Sequence, residues 1–153
     1  MYAIAKNEEK YVDKWIESMK EADEIYVMLD ATSSDNTKEL LLKHGVHVKE
    51  KLIRPWRFDK ARNESLKLVP KDTDICVCTD LDEVFTPGWR KELEEKWQPN
   101  TNQAVYKFWH NAGSPESTPN IFKYSKIHDR KNFYWKWIIH EYIVPKNQYQ
   151  LIK

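Results

Sequence analysis

Short apolar runs alternate with helical stripes over the first hundred positions of the chain. Four runs are apolar enough to be strands, and they occupy residues 2–5, 25–29, 46–48 and 75–79. Apolar residues elsewhere recur every three or four positions, which predicts amphipathic helices. These helices are expected at residues 11–19, 36–42, 58–69 and 87–97. Gly45 and Pro70 are placed to end the second and third of them.

The regular alternation of strand and helix predicts a fold of the α/β class. Strands that alternate with helices usually form a parallel, doubly wound sheet with helices on both faces. Ligands bind at the carboxyl ends of the strands in such sheets, so the polar segments that follow the strands are the candidates for chemistry. These segments are residues 6–8, 30–33 and 80–83.

The pattern changes after Pro99. Residues 103–109 and 133–139 have the composition of strands, and a polar stretch at 110–120 joins them. No long helical stripe is present in this part. We therefore expect one domain over residues 1–153, with a ligand-binding half at 1–98 and a short mixed or antiparallel extension at 99–153.

The composition excludes several classes of protein. Lys and Arg total 25 against 24 for Asp and Glu, and the resulting net charge of +1 offers no field for nucleic acid. No apolar stretch approaches the roughly 18 residues of a membrane-spanning helix, and no secretory leader is recognisable. Cys76 and Cys78 are too few for a zinc quartet and fit a reduced cytoplasmic setting. With only 3 glycines, a Gly-rich phosphate loop is not expected.

Three carboxylates crowd the end of the fourth predicted strand. Asp80, Asp82 and Glu83 would repel one another in water, so their clustering favours a bound cation. Residues two apart on an extended chain face the same side, which lets Asp80 and Asp82 reach one Mg²⁺ or Mn²⁺. The alternative is that Asp82 or Glu83 caps the next helix and interacts with its dipole.

Five short segments are informative because of their order along the chain. They are AIAKNEE at 3–9, DATSSDNT at 30–37, FDKARNE at 58–64, DLDE at 80–83 and IIHE at 138–141. Together they resemble the motifs of family 2 glycosyltransferases, in which DLDE matches the Asp-x-Asp motif. The His-Glu pair is similar to one found late in one subgroup. The resemblance is strong over residues 3–97 and loose beyond them.

The resemblance implies a Rossmann-like GT-A fold and a metal-dependent, inverting transfer of a sugar. The expected donor is a nucleotide-diphosphate sugar with UDP as its nucleotide, and the expected acceptor is a glycan or a lipid-linked glycan. The expected cofactor is Mn²⁺ or Mg²⁺. Thr32 and Asn36 stand where the family usually has glycine. Because threonine is poorly suited to positive φ, we expect the loop after Asp30 to differ in shape.

The resemblance also implies roles for individual residues. The donor-binding residues would be Lys6, Asn7, Glu8, Asp30, Arg62 and Asp80. The metal ligands would be Asp80, Asp82 and His140. Glu141 is the expected catalytic base, and Asp129 is a second acidic candidate. Structural alternatives stay open: Asp30 could cap a helix start, Arg62 could form a structural salt bridge, and His140 could be a hydrogen-bonded strand-end residue.

Two other functions remain as alternatives. A carbohydrate-binding module without catalysis would use exposed aromatic rings. The candidates for such rings are Trp109, Phe133, Tyr134, Trp135 and Trp137. The alternation of Phe133, Trp135 and Trp137 along one strand face favours the core instead. A sugar nucleotidyltransferase would share the fold, but residues 6–9 are acidic at their end and lack a glycine for gripping a triphosphate.

The length of the chain bears on the acceptor half, because relatives commonly run well beyond 153 residues. The acceptor side is then small, incomplete, or completed by a partner or a second copy of the chain. A homo-oligomer is therefore one alternative. The expected location is the cytoplasm, including the periphery of its membrane.

Overall fold

The computed structural model describes residues 1–110, 118 and 120–146, which contain four helices and eight strands. The helices are α1 (Glu9–Met19), α2 (Thr37–Lys43), α3 (Phe58–Leu68) and α4 (Trp89–Lys96). The strands are β1 (Tyr2–Ala5), β2 (Tyr26–Asp30), β3 (His47–Lys51), β4 (Ile75–Val77), β5 (Gln103–His110), β6 (Asn120–Asp129), β7 (Phe133–Lys136) and β8 (Tyr142–Pro145). The predicted helices and the first four predicted strands are present within a few residues of their expected bounds.

The first three strands form a parallel sheet in the order β1-β2-β3. β4 was predicted to be a full strand of this parallel sheet. It is joined to β1 only by a single parallel bridge, between Tyr2 and Cys78 at its end. Its ladder is formed with β6, to which it is antiparallel. The N–H of Cys78 accordingly donates to the carbonyl of Lys126 at 3.0 Å. The bridge still gives β4 the direction of β1, so the carboxyl ends of β1, β2 and β4 lie along one edge.

The second half of the described chain is antiparallel, as expected for the extension. β6 pairs with both β4 and β5, and β7 pairs with β8 in a separate two-stranded sheet. The strand predicted over 133–139 ends at Lys136, and Trp137 has a φ of 84°, outside the strand region. The polar connection predicted at 110–120 lies largely outside the described residues.

Two apolar layers cover the two faces of the parallel sheet. α1 and α2 pack on one face, where Trp15 and Met19 are fully buried. α3 and the β7–β8 pair lie on the other face, where Phe133 and Trp135 are buried. Trp137, predicted to share that face, is 51% exposed. Burial on both faces explains why β1 and β2 have no exposed residue.

A hydrogen-bonded group of buried side chains fixes β7 and β6 against β1. Tyr2 Oη and His128 Nε2 lie 2.7 Å apart, and Trp135 Nε1 donates to the same Oη at 2.8 Å. All three side chains are buried. Burial lowers the pKa of His128 to about 4, so its ring is neutral near neutral pH.

We expect the free energy of unfolding to fall as the pH drops from about 6.5 to about 4. The folded pKa of His128 lies below its unfolded value, so the unfolded chain takes up the proton first. Stability that is present above the unfolded pKa is therefore lost through this window, by on the order of 3 kcal/mol. Urea unfolding across the pH range measures the loss.

Two variants separate His128 from the general effect of acid. His128→Gln should flatten the pH dependence between the two pKa values, whereas His110→Gln, at an exposed position, should leave it unchanged. The same pH slope in both variants and in the parent protein would contradict the assignment to His128.

Candidate functional site

The loops that follow β1 and β2 are bound to each other at the carboxyl edge of the sheet. Asn7 has a φ of 53°, a conformation that asparagine tolerates better than most residues. Its Oδ1 accepts from the N–H of Ser34 at 2.7 Å, and its own N–H donates to Ser33 Oγ at 2.9 Å. The N–H of Glu8 donates to Thr37 Oγ1 at 2.8 Å. Asn7 therefore shapes this edge through hydrogen bonds within the protein.

Asp30 ends β2 with a buried carboxylate that is only half satisfied. Its Oδ1 accepts from both the N–H and the hydroxyl of Thr32, at 2.8 Å and 2.7 Å. Within the described residues its Oδ2 has no hydrogen-bond partner, although Arg54 lies at 3.6 Å and Lys6 at 4.0 Å. Burial raises the pKa of Asp30, but the Thr32 hydrogen bonds and the two cations outweigh it, and the net pKa is lowered. The site thus presents an ionised oxygen that can only accept.

The loop after Asp30 avoids the positive φ that glycine would permit. Neither Thr32 nor Asn36 has a positive φ, and Asn36 has a φ of −82°. The difference in loop shape from the family stays a prediction. It is the non-glycine residue Thr32 that supplies both donors to Asp30 Oδ1.

Arg62 connects two segments that are far apart in the sequence. Its guanidinium donates to Asp80 Oδ1 at 2.5 Å and to Glu141 Oε1 at 3.1 Å. The side chain is 4% exposed, and the ring centre of Trp135 lies 5.3 Å from the guanidinium carbon. Burial lowers the pKa of Arg62, but the negative groups around it outweigh this effect and raise the net pKa. α3 thereby holds the segment after β4 and the segment before β8 together.

Asp80 has a second cation on its other oxygen. Lys126 Nζ lies 3.2 Å from Asp80 Oδ2 and 2.8 Å from Glu83 Oε1. Glu83 is buried, and its Oε2 accepts from the N–H of Asp80 at 3.0 Å. Burial raises the pKa of Asp80, but Arg62 and Lys126 outweigh it, and the net pKa is lowered. Both carboxylate oxygens of Asp80 are therefore engaged within the protein.

Asp82 is the exposed member of the acidic cluster. Lys126 is bound to Asp80 and Glu83, whereas no cation of the described residues pairs with Asp82. Glu8 lies close enough to interact with it: burial, followed by the negative charge of Asp82, raises the pKa of Glu8. No group of three His, Cys, Asp or Glu side chains among the described residues is placed to hold an ion. A cation held here would have one or two of these carboxylates as ligands and would need substrate phosphates or water to complete its shell.

The segment before β8 is strained at two residues. Trp137 has a φ of 84° and His140 has a φ of 56°, values that are rare for residues with a side chain. Strain of this kind persists only where the surrounding structure fixes it, and it often clusters at functional sites. His140 is exposed and directly precedes Glu141, whose side chain is 14% exposed. The strained segment therefore places Glu141 within hydrogen-bonding distance of Arg62.

Comparison with known proteins identifies the family. Residues 3–149 match the description "Glycosyl transferase family 2". The chain belongs to glycosyltransferase family 2. The crystal structure of S. aureus TarS 1-349 aligns with a TM-score of 0.50 and 21% identity, over 61% of this chain and 30% of that chain. No curated protein matches the sequence.

The family match and the likeness to TarS confirm the GT-A fold that the motifs implied. The present chain spans less than a third of the TarS chain, so that likeness concerns the fold alone. The observed architecture agrees with the expected one, with a parallel sheet β1-β2-β3 followed by antiparallel sheets.

The structure of this family 2 domain brings most of the predicted site residues to one edge of the sheet. Those at the ends of β1 and β2 are Lys6, Asn7, Glu8 and Asp30, and those around the end of β4 are Arg62, Asp80, Asp82 and Glu141. His140 does not join the two aspartates in a preformed ion site among the described residues. Its role and the roles of the others stay predictions.

Asp129, the second candidate base, lies away from this edge. It pairs with Ile75 at the amino end of β4. Its Oδ1 accepts from the N–H groups of Lys131 and Asn132, at 2.9 Å and 2.7 Å, and so closes the turn before β7. These contacts give Asp129 a structural task at the opposite edge of the sheet.

Sequence reasoning missed Lys126, which is the second cation, after Arg62, that pairs with the carboxylates at the end of β4. Lys126 lies in β6, which the sequence pattern did not predict, because polar and apolar residues are mixed in its second half. Its neighbours Asp80 and Glu83 are more than 40 positions away in the chain. The sequence offered only an indirect signal. Three carboxylates at the end of one strand need more positive charge nearby than Arg62 alone supplies.

Proposed function

We propose that this domain transfers a glycosyl group from a UDP-sugar to a hydroxyl group of a glycan or lipid-linked glycan, with inversion and with Mn²⁺ or Mg²⁺. The observation that carries the proposal is the position of Asp82. It is exposed beside the saturated Arg62–Asp80 pair, at the carboxyl edge where α/β sheets bind their ligands. The family 2 match supplies the reaction class.

Asp30 supports uracil as the base of the donor. Its buried Oδ2 lacks a hydrogen-bond partner within the described residues and can only accept. Uracil offers a ring N–H to such an acceptor, whereas cytosine has an unprotonated ring nitrogen at the same position. Leaving a buried carboxylate oxygen without a hydrogen bond is costly even beside two cations, so a bound N–H donor would stabilise the site. Lys6 and Arg54 add positive charge beside a phosphate-bearing ligand.

Asp82 would hold the divalent cation, with Glu8 and His140 as further candidate ligands. When bound, the cation supplies Lewis-acid stabilisation of the departing diphosphate. Asp80 was expected to be a direct ligand as well. Since its two oxygens are engaged by Arg62 and Lys126, we assign it a different role, in which it adds negative charge and orients Arg62.

Glu141 is the proposed catalytic base. Arg62 holds its Oε1, which leaves Oε2 for the hydroxyl group of the acceptor. As Glu141 takes the hydroxyl proton, the acceptor oxygen forms a bond to the anomeric carbon. The bond from that carbon to the diphosphate oxygen breaks, and the nucleotide diphosphate leaves with the electron pair. Attack opposite the leaving group inverts the configuration.

Glu141→Gln is expected to retain UDP binding and to lower the transfer rate by about 10²–10⁴-fold. The amide keeps an oxygen for Arg62 but does not take up a proton at neutral pH. Release of nucleotide diphosphate measures turnover, and calorimetric titration measures UDP binding. Glu95→Gln, at an exposed position on α4, is the control and should behave like the parent protein. Parental turnover in Glu141→Gln would exclude Glu141 as the base.

A carbohydrate-binding module without catalysis is less well supported. Two of the five aromatic candidates, Phe133 and Trp135, are buried in the core. A binding module also has no use for the ion-paired group around Arg62. The cytoplasmic location is part of the proposal and is supported by Cys76 and Cys78, which are free and buried. Among the described helices, none has the length and apolar content that a bilayer span requires.

A donor screen tests the proposed function. The full chain is incubated with UDP-, GDP- and CDP-sugars, in parallel with Mn²⁺ and with a chelator, and released nucleotide diphosphate is measured. We expect release from at least one UDP-sugar and a loss of that release in the chelator. If no nucleotide sugar is consumed with or without metal, the proposed function is wrong.

A further inference from the structure

Lys126, which belongs to none of the sequence motifs, places a positive charge among the carboxylates of the site. Lys126 Nζ bridges Asp80 Oδ2 and Glu83 Oε1, at 3.2 Å and 2.8 Å. The lysine side chain is 18% exposed, and its ammonium lies 4.8 Å from the ring centre of Tyr124. A lysine that is largely shielded from water loses solvation, so it needs the two carboxylates as partners.

The backbone of β6 is irregular at the point that carries Lys126. Ala104 of β5 pairs with Ile127, and the next pair along β5 is Tyr106 with Tyr124. One residue of β5 and two residues of β6 lie between these pairs, so β6 has one extra residue. That is the geometry of a β-bulge, which re-aims a side chain and is common beside active sites. The N–H of Cys78, in the segment that leads to Asp80, donates to the carbonyl of Lys126. The bulge leaves Lys126 without a partner in β5, and the hydrogen bond from Cys78 fixes its backbone from the β4 side.

The site carries more negative than positive charge, and Lys126 reduces this excess. The carboxylates that meet here are Glu8, Asp80, Asp82, Glu83 and Glu141, and the cations bound among them are Arg62 and Lys126. Negative charge thus exceeds positive charge even with both cations in place. A sugar-nucleotide diphosphate is itself an anion and would be repelled by such a site. Arg62 is already shared by Asp80 and Glu141. Lys126 adds a second positive charge beside Asp80 and is the one that pairs with Glu83.

We propose that Lys126 is a built-in cation of the donor site, which offsets Asp80 and Glu83 so that an anionic diphosphate can bind next to Asp82. The inference rests on the proposed function and adds a residue to it. It has a consequence that a purely structural lysine lacks. Removing the charge should strengthen the binding of a free divalent cation and weaken the binding of the anionic nucleotide, because the two ligands have opposite charge.

Lys126→Met tests the proposal, because methionine keeps an unbranched apolar stem and removes the ammonium. Calorimetric titration with Mn²⁺ alone should show binding several-fold tighter than in the parent chain. Titration with UDP at saturating Mn²⁺ should show binding about tenfold weaker. Lys126→Arg should restore parental values for both ligands. Lys123→Met, which removes an exposed lysine from the same strand, should change neither.

The outcomes separate this inference from the proposed function. If both ligands bind more weakly to Lys126→Met, or if neither affinity changes, the lysine is structural and the inference is wrong. If the parent chain binds neither Mn²⁺ nor UDP, the proposed function falls and the inference falls with it. Circular dichroism establishes that each variant is folded. If Lys126→Met does not fold, Lys126→Gln, which keeps a hydrogen-bond donor without the charge, must show the same opposite shifts.

Discussion

Asp82→Asn is expected to lower glycosyl transfer by at least about a thousandfold. The carboxylate is exposed and has no cation partner among the described residues, so it is available to a divalent ion in a way that Asp80 is not. Asparagine keeps the size of the side chain but removes the charge that binds the ion. Loss of metal stabilisation of the departing diphosphate costs several kcal/mol, and each ~1.4 kcal/mol is a factor of ten in rate. Nucleotide release at saturating Mn²⁺ measures the effect.

Asp74→Asn is the matched control for this prediction. Asp74 is exposed and precedes the same strand, β4, but lies at its amino end, away from the site. We expect parental activity in this variant. Activity in Asp82→Asn within tenfold of the parent would show that Asp82 is not the main metal ligand.

Arg62→Met is expected to destabilise the fold by about 3–5 kcal/mol. Arg62 is almost fully buried, and its removal leaves Asp80 and Glu141 without their shared partner. It also removes the contact with the ring of Trp135. Arg62→Lys should recover only part of the loss, because one ammonium cannot reproduce the planar fork that reaches two carboxylates. Urea unfolding near neutral pH measures both variants.

An exposed ion pair provides the comparison for Arg62. Lys38 pairs with Glu50 at 2.6 Å, and both side chains are more than 40% exposed. Lys38→Met should cost less than about 1 kcal/mol, since surface pairs contribute little. If Arg62→Met costs no more than Lys38→Met, the buried network does not hold the segment before β8 in place.

Local patterns were sufficient to predict the first half of the fold. Strands such as β1 and β2 are buried on both faces, so their sequences are continuously apolar and easy to locate. Trp15 and Met19 mark the buried stripe of α1 at helical spacing. Because parallel strands present their carboxyl ends at one edge, the ends of β1, β2 and β4 could also be expected to meet.

The second half could not be predicted in the same way, because its structure depends on non-local pairing. The antiparallel ladder of β6 with β4 brings Lys126 to Asp80, and no local pattern around position 126 shows this. The strand expected through 139 ends at Lys136, because Trp137 has a positive φ. Positive φ is usually predicted from a glycine, and this position has none. The sequence favoured Glu141 as the base but kept Asp129 as a second candidate. The structure distinguishes them: Glu141 contacts Arg62, whereas Asp129 closes the turn before β7.

Calorimetric titration of the full chain with UDP, with Mn²⁺ and after chelation, tests the central claim most directly. The claim is that the carboxyl edge around Asp82 binds a nucleotide diphosphate through a divalent cation. The account predicts that UDP binds in the presence of Mn²⁺ and that its affinity falls at least about tenfold when the metal is removed. Equal affinity with and without metal, or no binding under either condition, would contradict it.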